Sequence, residues 1–100
     1  MAIRVELCGR LIKAPEVRVT PAGAPILRLV VDCGERDSKF VMEVVMSGDS
    51  VHELARHLSA ATAVRATGVL RQVRGRPLSG VMQQRIEVLA DCVTVAEEGR

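Results

Sequence analysis

At 100 residues, with 48% apolar residues and a net charge of +2, the chain is long enough for one core without staples. It is too apolar for disorder, and no apolar run reaches the ~20 residues that span a bilayer. Net charge is small, but the charge is segregated. From Leu54 to Ile86 there are six arginines and no acid, while from Asp32 to Glu53 six acids face only Arg36 and Lys39. Such a chain can present a basic face despite its modest total.

The first ten residues mix charge with apolar groups and show no signal-peptide core, so the expected location is cytoplasmic. Ile3, Val5, Leu7, Gly9 and Leu11 then alternate with Arg4, Glu6, Cys8 and Arg10, the period of a half-buried strand. Gly9 falls on its inward face, where glycine marks a strong bend. Residues 13–25 hold Pro15, Pro21, Gly23 and Pro25, and Pro21-Ala22-Gly23 reads as a turn. Residues 17–20 either extend the first strand or form a short strand of their own.

A second strand follows over 26–33, with Leu27, Leu29, Val31 and Cys33 on one face and Arg28 and Asp32 on the other. A charged turn over 34–38 leads to a third strand. There Phe40, Met42, Val44 and Met46 alternate with Val41, Glu43, Val45 and Ser47. The period next changes. Val51, Leu54, Ala55 and Leu58 form a helical stripe, and Ser50 with Glu53 has the spacing of a capping box, with Asp49 as an alternative cap. This predicts a helix over 50–60. A fourth strand puts Val64, Ala66, Gly68 and Leu70 inward, and residues 73–80 read as a long basic loop. The last strand, over 85–95, puts Ile86, Val88 and Ala90 opposite in face to Glu87, Leu89 and Asp91. Residues 1–96 are expected to form one domain, and residues 97–100 a frayed acidic tail.

Three strands, a helix and two strands is the order of an all-β OB-fold, a five-stranded Greek-key barrel, and the inward glycines suit its coiling. A flat sheet covered by one helix is the alternative. At this point a family resemblance is legible. Residues 3–11 resemble the opening strand of bacterial single-stranded-DNA-binding proteins. Pro15 with Arg18-Val19-Thr20-Pro21-Ala22-Gly23-Ala24-Pro25 resembles the corresponding stretch of the PriB (primosomal replication protein N) family. VVMSG (44–48), ATGVL (66–70), LSG (78–80) and IEVLAD (86–91) follow in the order of that family. The resemblance implies a homodimer of OB-folds that binds single-stranded DNA and associates with the PriA helicase in the replication-restart primosome. Phe40 is the chain's single aromatic residue, whereas the family pattern has several near this turn and on the third strand.

Candidate nucleic-acid contacts follow from both readings. Arg71, Arg74, Arg76 and Arg85 lie in or beside the expected basic loop, which flanks the ligand groove of OB-folds. Arginine suits phosphate and stacks on bases. Lys13, Arg18 and Arg28 form a second group, and Phe40 is either a base-stacking platform or core. With one aromatic residue, binding has to lean on charge. His52 and His57, five residues apart, diverge around a helix and suit surface roles better than a metal site. Cys8, Cys33 and Cys92 match no zinc spacing and read as thiols packed as small apolar residues on strands. No nucleophile, P-loop or carboxylate pair marks an enzyme, and neither cofactor nor small-molecule substrate is expected. Val69, Val73, Leu89, Val93 and Val95 form an apolar outward face, as a dimer interface would require. The second functional reading is an OB-fold adaptor between proteins whose nucleic-acid binding is weak and incidental.

Overall fold

The computed structural model describes residues 1–75 and 83–96. Its elements are β1 (Ile3–Leu11), β2 (Glu16–Val19), β3 (Pro25–Asp32), β4 (Val41–Ser47), α1 (Val51–Arg56), β5 (Ala63–Gly75) and β6 (Gln83–Val95). The expected acidic tail at residues 97–100 lies outside the described residues. The strands are hydrogen-bonded in the order β1-β5-β6-β4-β3-β2, and a further β1–β3 pairing closes five of them into a barrel. All pairs are antiparallel except β4–β6. This is the OB-fold, and β2 is the short separate piece, hydrogen-bonded to β3.

Closure depends on two glycines. Just beyond Gly9, while β1 is still paired with β5 at Gly9–Val64 and Arg10–Ala63, the strand also pairs with β3 through Arg10–Asp32 and Leu11–Val31. A Cβ there would strike the Asp32 carbonyl and the Val31 side chain. Gly68 sits against the Leu89 carbonyl, beside a β-bulge in β6. The bends expected from inward glycines are therefore places where two backbones touch.

Inward residues of every barrel strand form the core, with Leu27, Leu29, Val31, Val44, Val64 and Val88 all nearly inaccessible. Burying each such side chain contributes about 1.5–3 kcal/mol. The helical stripe packs on this core as expected: Val51 and Leu58 are buried, Leu54 and Ala55 half-buried.

Three local expectations are corrected. The helix ends at Arg56, not Ala60, because His57 and Leu58 donate to Leu54 and Ala55, three residues back. A turn over 59–62 follows, with Ala61 at φ 74°, and Leu11 then bonds both Ala61 and Thr62. The capping box does not form. Ser50 has helical backbone angles (φ −81°, ψ −5°) and no side-chain cap bond, whereas a capping side chain needs extended backbone. Glu53 reaches Arg56 and His57 instead. Finally, Val93 and Val95 do not share a face with Leu89. The bulge makes Asp91 an extra residue between the pairs Gly68–Ala90 and Thr67–Cys92, which turns Val93 to the core side and puts Val95 opposite the buried Val64 at the strand's end, where it stays 49% exposed. Val93 is 6% exposed. The apolar face expected for a dimer thus shrinks to Val69, Val73 and Leu89.

Candidate nucleic-acid interface

Strand alternation builds two neighbouring outward rows on the barrel. The first runs Arg28, Val45, Leu89, Val69, Arg4 across β3, β4, β6, β5 and β1. The second runs Val30, Glu43, Glu87, Arg71 across β3, β4, β6 and β5. The outer surface of β3 and β4 is where OB-folds take oligonucleotides.

Charges in these rows pair across strands. Arg71 donates from Nε and Nη2 to the same oxygen of Glu87, at 3.0 and 2.7 Å. Arg28 Nη1 donates to Glu43 Oε1 at 2.7 Å and lies 4.0 Å from Glu87 Oε1. Arg85 Nη1 is 3.7 Å from the other oxygen of Glu43. Glu87 is 3% exposed and Glu43 32%. Arg18, on β2, shares a shallow depression of about 220 Å³ with Arg28, Val19, Thr20 and Ile26. One strip of surface therefore gathers Arg18, Arg28, Arg71 and Arg85 from four strands. Three of these four arginines face Glu43 and Glu87, and Arg18 lies 4.0 Å from Glu16, so their joint positive surplus is smaller than the sequence implied.

The other expected contacts are more dispersed. Lys13 is exposed in the connection between β1 and β2. Arg74 does not lie on a loop: β5 continues to Gly75, and Arg74 pairs with Gln84. Three residues beyond Arg71, alternation turns it to the opposite face, which continues Leu70 and the barrel interior. Arg76 lies outside the described residues. Phe40 precedes β4 and does not enter the core. It is 59% exposed, at the rim of an apolar cavity of about 650 Å³ that also involves Val5, Leu7, Met42 and Ile86.

Glu43 and Glu87 are the residues that sequence reasoning missed as part of the site. Their signal was weak: Glu43 is a lone acid inside an apolar strand, and Glu87 stands between apolar neighbours, Ile86 and Val88. Their partners could not be found without the parallel β4–β6 register, which brings Glu43 opposite Glu87.

Elsewhere, the chemistry is that of surface groups. Cys8 and Cys92 lie on strands but are exposed, contrary to the packed role expected for them. Cys33 is half-buried, and burial, aided by Asp32, pushes its thiol pKa up. On the β1–β5 face, the hydrogen bond from Arg4 and a second from Thr67 hold the Asp91 carboxyl below its ordinary value. His57 bonds Glu53, while His52 is exposed. Among the described residues no group of three or more His, Cys, Asp or Glu is placed to hold a metal ion. No helix among them is long and apolar enough to cross a membrane.

A search of curated proteins finds no match. A family model does match, over residues 4–85, and it is that of a single-strand binding protein family. The match takes in β1 to β5, the helix and the start of β6, and so includes every residue of the arginine strip. With more than four-fifths of its length matched, and a barrel whose strip lies where OB-folds carry oligonucleotides, the chain belongs to this single-strand binding protein family.

Proposed function

We propose that this chain is a non-enzymatic, PriB-like accessory protein that binds single-stranded DNA and couples it to the PriA helicase in replication restart. The observation that carries the DNA reading is the strip of Arg18, Arg28, Arg71 and Arg85 on the outer β3–β4–β6–β5 surface. The primosome and helicase assignments rest on the sequence resemblance. Binding is led by the phosphate backbone: arginines neutralise phosphates and counterions are released. Phe40, exposed at the cavity rim, offers one stacking face, worth about 1–3 kcal/mol per base. Lys13, in the β1–β2 connection, and Arg74, on the opposite face of β5, stand apart from the strip and are secondary contacts. The resemblance supports a homodimer, and the protein works in the cytoplasm.

The test is a fluorescence-anisotropy titration at several salt concentrations. The probe is an oligodeoxynucleotide of about 30 nucleotides, longer than the usual OB-fold site of about 4–16. Its duplex is titrated beside it. The expected result is preference for the single strand, with affinity falling steeply with salt at a slope near −0.7 per phosphate contacted. Phe40→Ala is expected to weaken binding without changing the melting temperature. Equal binding of duplex and single strand would sink the reading.

The second reading, a protein–protein adaptor, is favoured by one observation: Arg28, Arg71 and Arg85 already meet carboxylates within the chain. Tight helicase binding beside negligible DNA affinity at physiological salt would select it.

A further inference from the structure

The two acids of the strip are held differently. Glu87 is almost withdrawn from water, and one of its oxygens takes both the Nε and Nη2 donors of Arg71. Glu43 is about one-third exposed and divides its oxygens between strands, Oε1 to Arg28 and Oε2, at 3.7 Å, to Arg85. We propose that Glu87 is a positioning residue for single-strand binding, whereas Glu43 is a competitor that the phosphate backbone displaces. This rests on the reading that the strip carries the single strand.

The difference in burial separates the two roles. An arginine side chain has many rotamers, and ordering it at the moment of binding opposes association. The fork on Glu87 orders Arg71 during folding instead. Because Glu87 lies beneath its neighbours, a phosphate cannot replace it, and the remaining N–H groups of the half-exposed Arg71 are left for the ligand. Arg28, within 4.0 Å of the same carboxylate, is steadied from a second strand.

Glu43 meets the opposite condition. A phosphate arriving between Arg28 and Arg85 offers those guanidiniums an oxyanion of similar geometry. Two anions cannot share the position without repulsion, so Glu43 has to swing into the solvent it already reaches. Each phosphate engaged there exchanges one ion pair for another. Affinity falls and release is faster, which suits a protein that passes its strand on.

General electrostatics makes a different prediction. If the acids act only as negative charge beside DNA, neutralising either one tightens binding. The proposal requires opposite signs. Glu43→Gln is expected to tighten binding about two- to fivefold, the span of a surface ion pair. Glu87→Gln is expected to weaken it by about threefold or more, as loss of an ordered partner does.

The experiment is an anisotropy titration with an oligothymidylate across a salt series, using the full chain, Glu43→Gln, Glu87→Gln, Arg71→Lys, Arg71→Ala and Arg28→Ala. Arg71→Lys keeps the charge but loses the fork, so it tests positioning even if Glu87→Gln does not fold. Its affinity is expected to fall while its salt slope stays that of the parent chain, since the charge count is unchanged. If Arg71→Lys, and Glu87→Gln where it folds, bind at least as well as the parent while Arg71→Ala is weaker, positioning is overturned and the strip reading stands. If Glu43→Gln binds no tighter than the parent, the competitor role is overturned. If Arg71→Ala and Arg28→Ala both bind like the parent chain, the strip is not the site, and both readings fail together.

Discussion

Two acids on β6, separated by three residues, show how the barrel treats one kind of contact on its two outer faces. On the β3–β4–β6 face, Glu87 is 3% exposed and held by Arg71, with Arg28 nearby. On the β1–β5 face, Asp91 is 56% exposed and held by Arg4 at 2.8 Å and by the Thr67 hydroxyl at 3.0 Å. The partners and distances are alike. Burial differs, because Glu87 lies in the regular ladder between β4 and β5 while Asp91 is the extra residue of the bulge. A pair whose carboxylate is enclosed by strands acts as part of the fold even where its arginine reaches water, whereas a pair with both members in water is screened and exchangeable.

The sharpest way to break this contrast is to remove one arginine from each pair. Arg71→Ala leaves a buried carboxylate with only Arg28 near it. Removing one member of a buried pair typically costs about 3–5 kcal/mol, and Arg28 brings the expected loss to about 2–3 kcal/mol. Arg4→Ala, which breaks an exposed pair, is expected to lower the urea midpoint far less. Equal losses would show that burial is not what separates the faces.

The second comparison is in binding. Arg28→Ala is expected to make the salt slope for single-stranded DNA shallower by about 0.7–1 unit, while Arg4→Ala leaves it unchanged. Equal reductions would mean that the strand wraps both faces.

The third uses salt on stability. At about 1 M salt the screening length falls to about 3 Å, so exposed pairs lose most of their interaction. The stability gap between the parent chain and Arg71→Ala is expected to persist under that condition.

The smallest effect is on acid unfolding. The folded Asp91 carboxyl titrates below its ordinary value of 3.8, chiefly through the Arg4 hydrogen bond. Its contribution is therefore present above that value and lost as pH falls through the folded pKa. Any stability difference between the parent chain and Asp91→Asn should narrow below that pH in chemical-denaturation curves. A difference that widened in acid would contradict the pairing.

Much of the barrel was legible in the chain because its signals are local. Alternation in residues 3–11 and 26–33 marks strands wherever those strands pair, and the turn at Gly23, with φ 89°, needs only its neighbours. The helical stripe was legible for the same reason. Its length was not, because Ala61 and Thr62 are held by Leu11, some fifty positions away in sequence. The placement of Arg74 was missed because a Gly- and Pro-rich stretch reads as loop, whereas β5 runs on to Gly75 by pairing with β6. Val93 was misplaced by one bulge, which reverses every face beyond it.

By itself, the sequence determined the strand pattern, the helical stripe and the closing glycines, since each is a property of residues near one another in the chain. Only the tertiary structure decided that Glu87 would be buried beneath Arg71, that Glu43 would stand between Arg28 and Arg85, and that the valines would divide between two faces. Those outcomes depend on cross-strand register and a bulge, which are set by packing between distant segments and leave no periodic trace in any one of them.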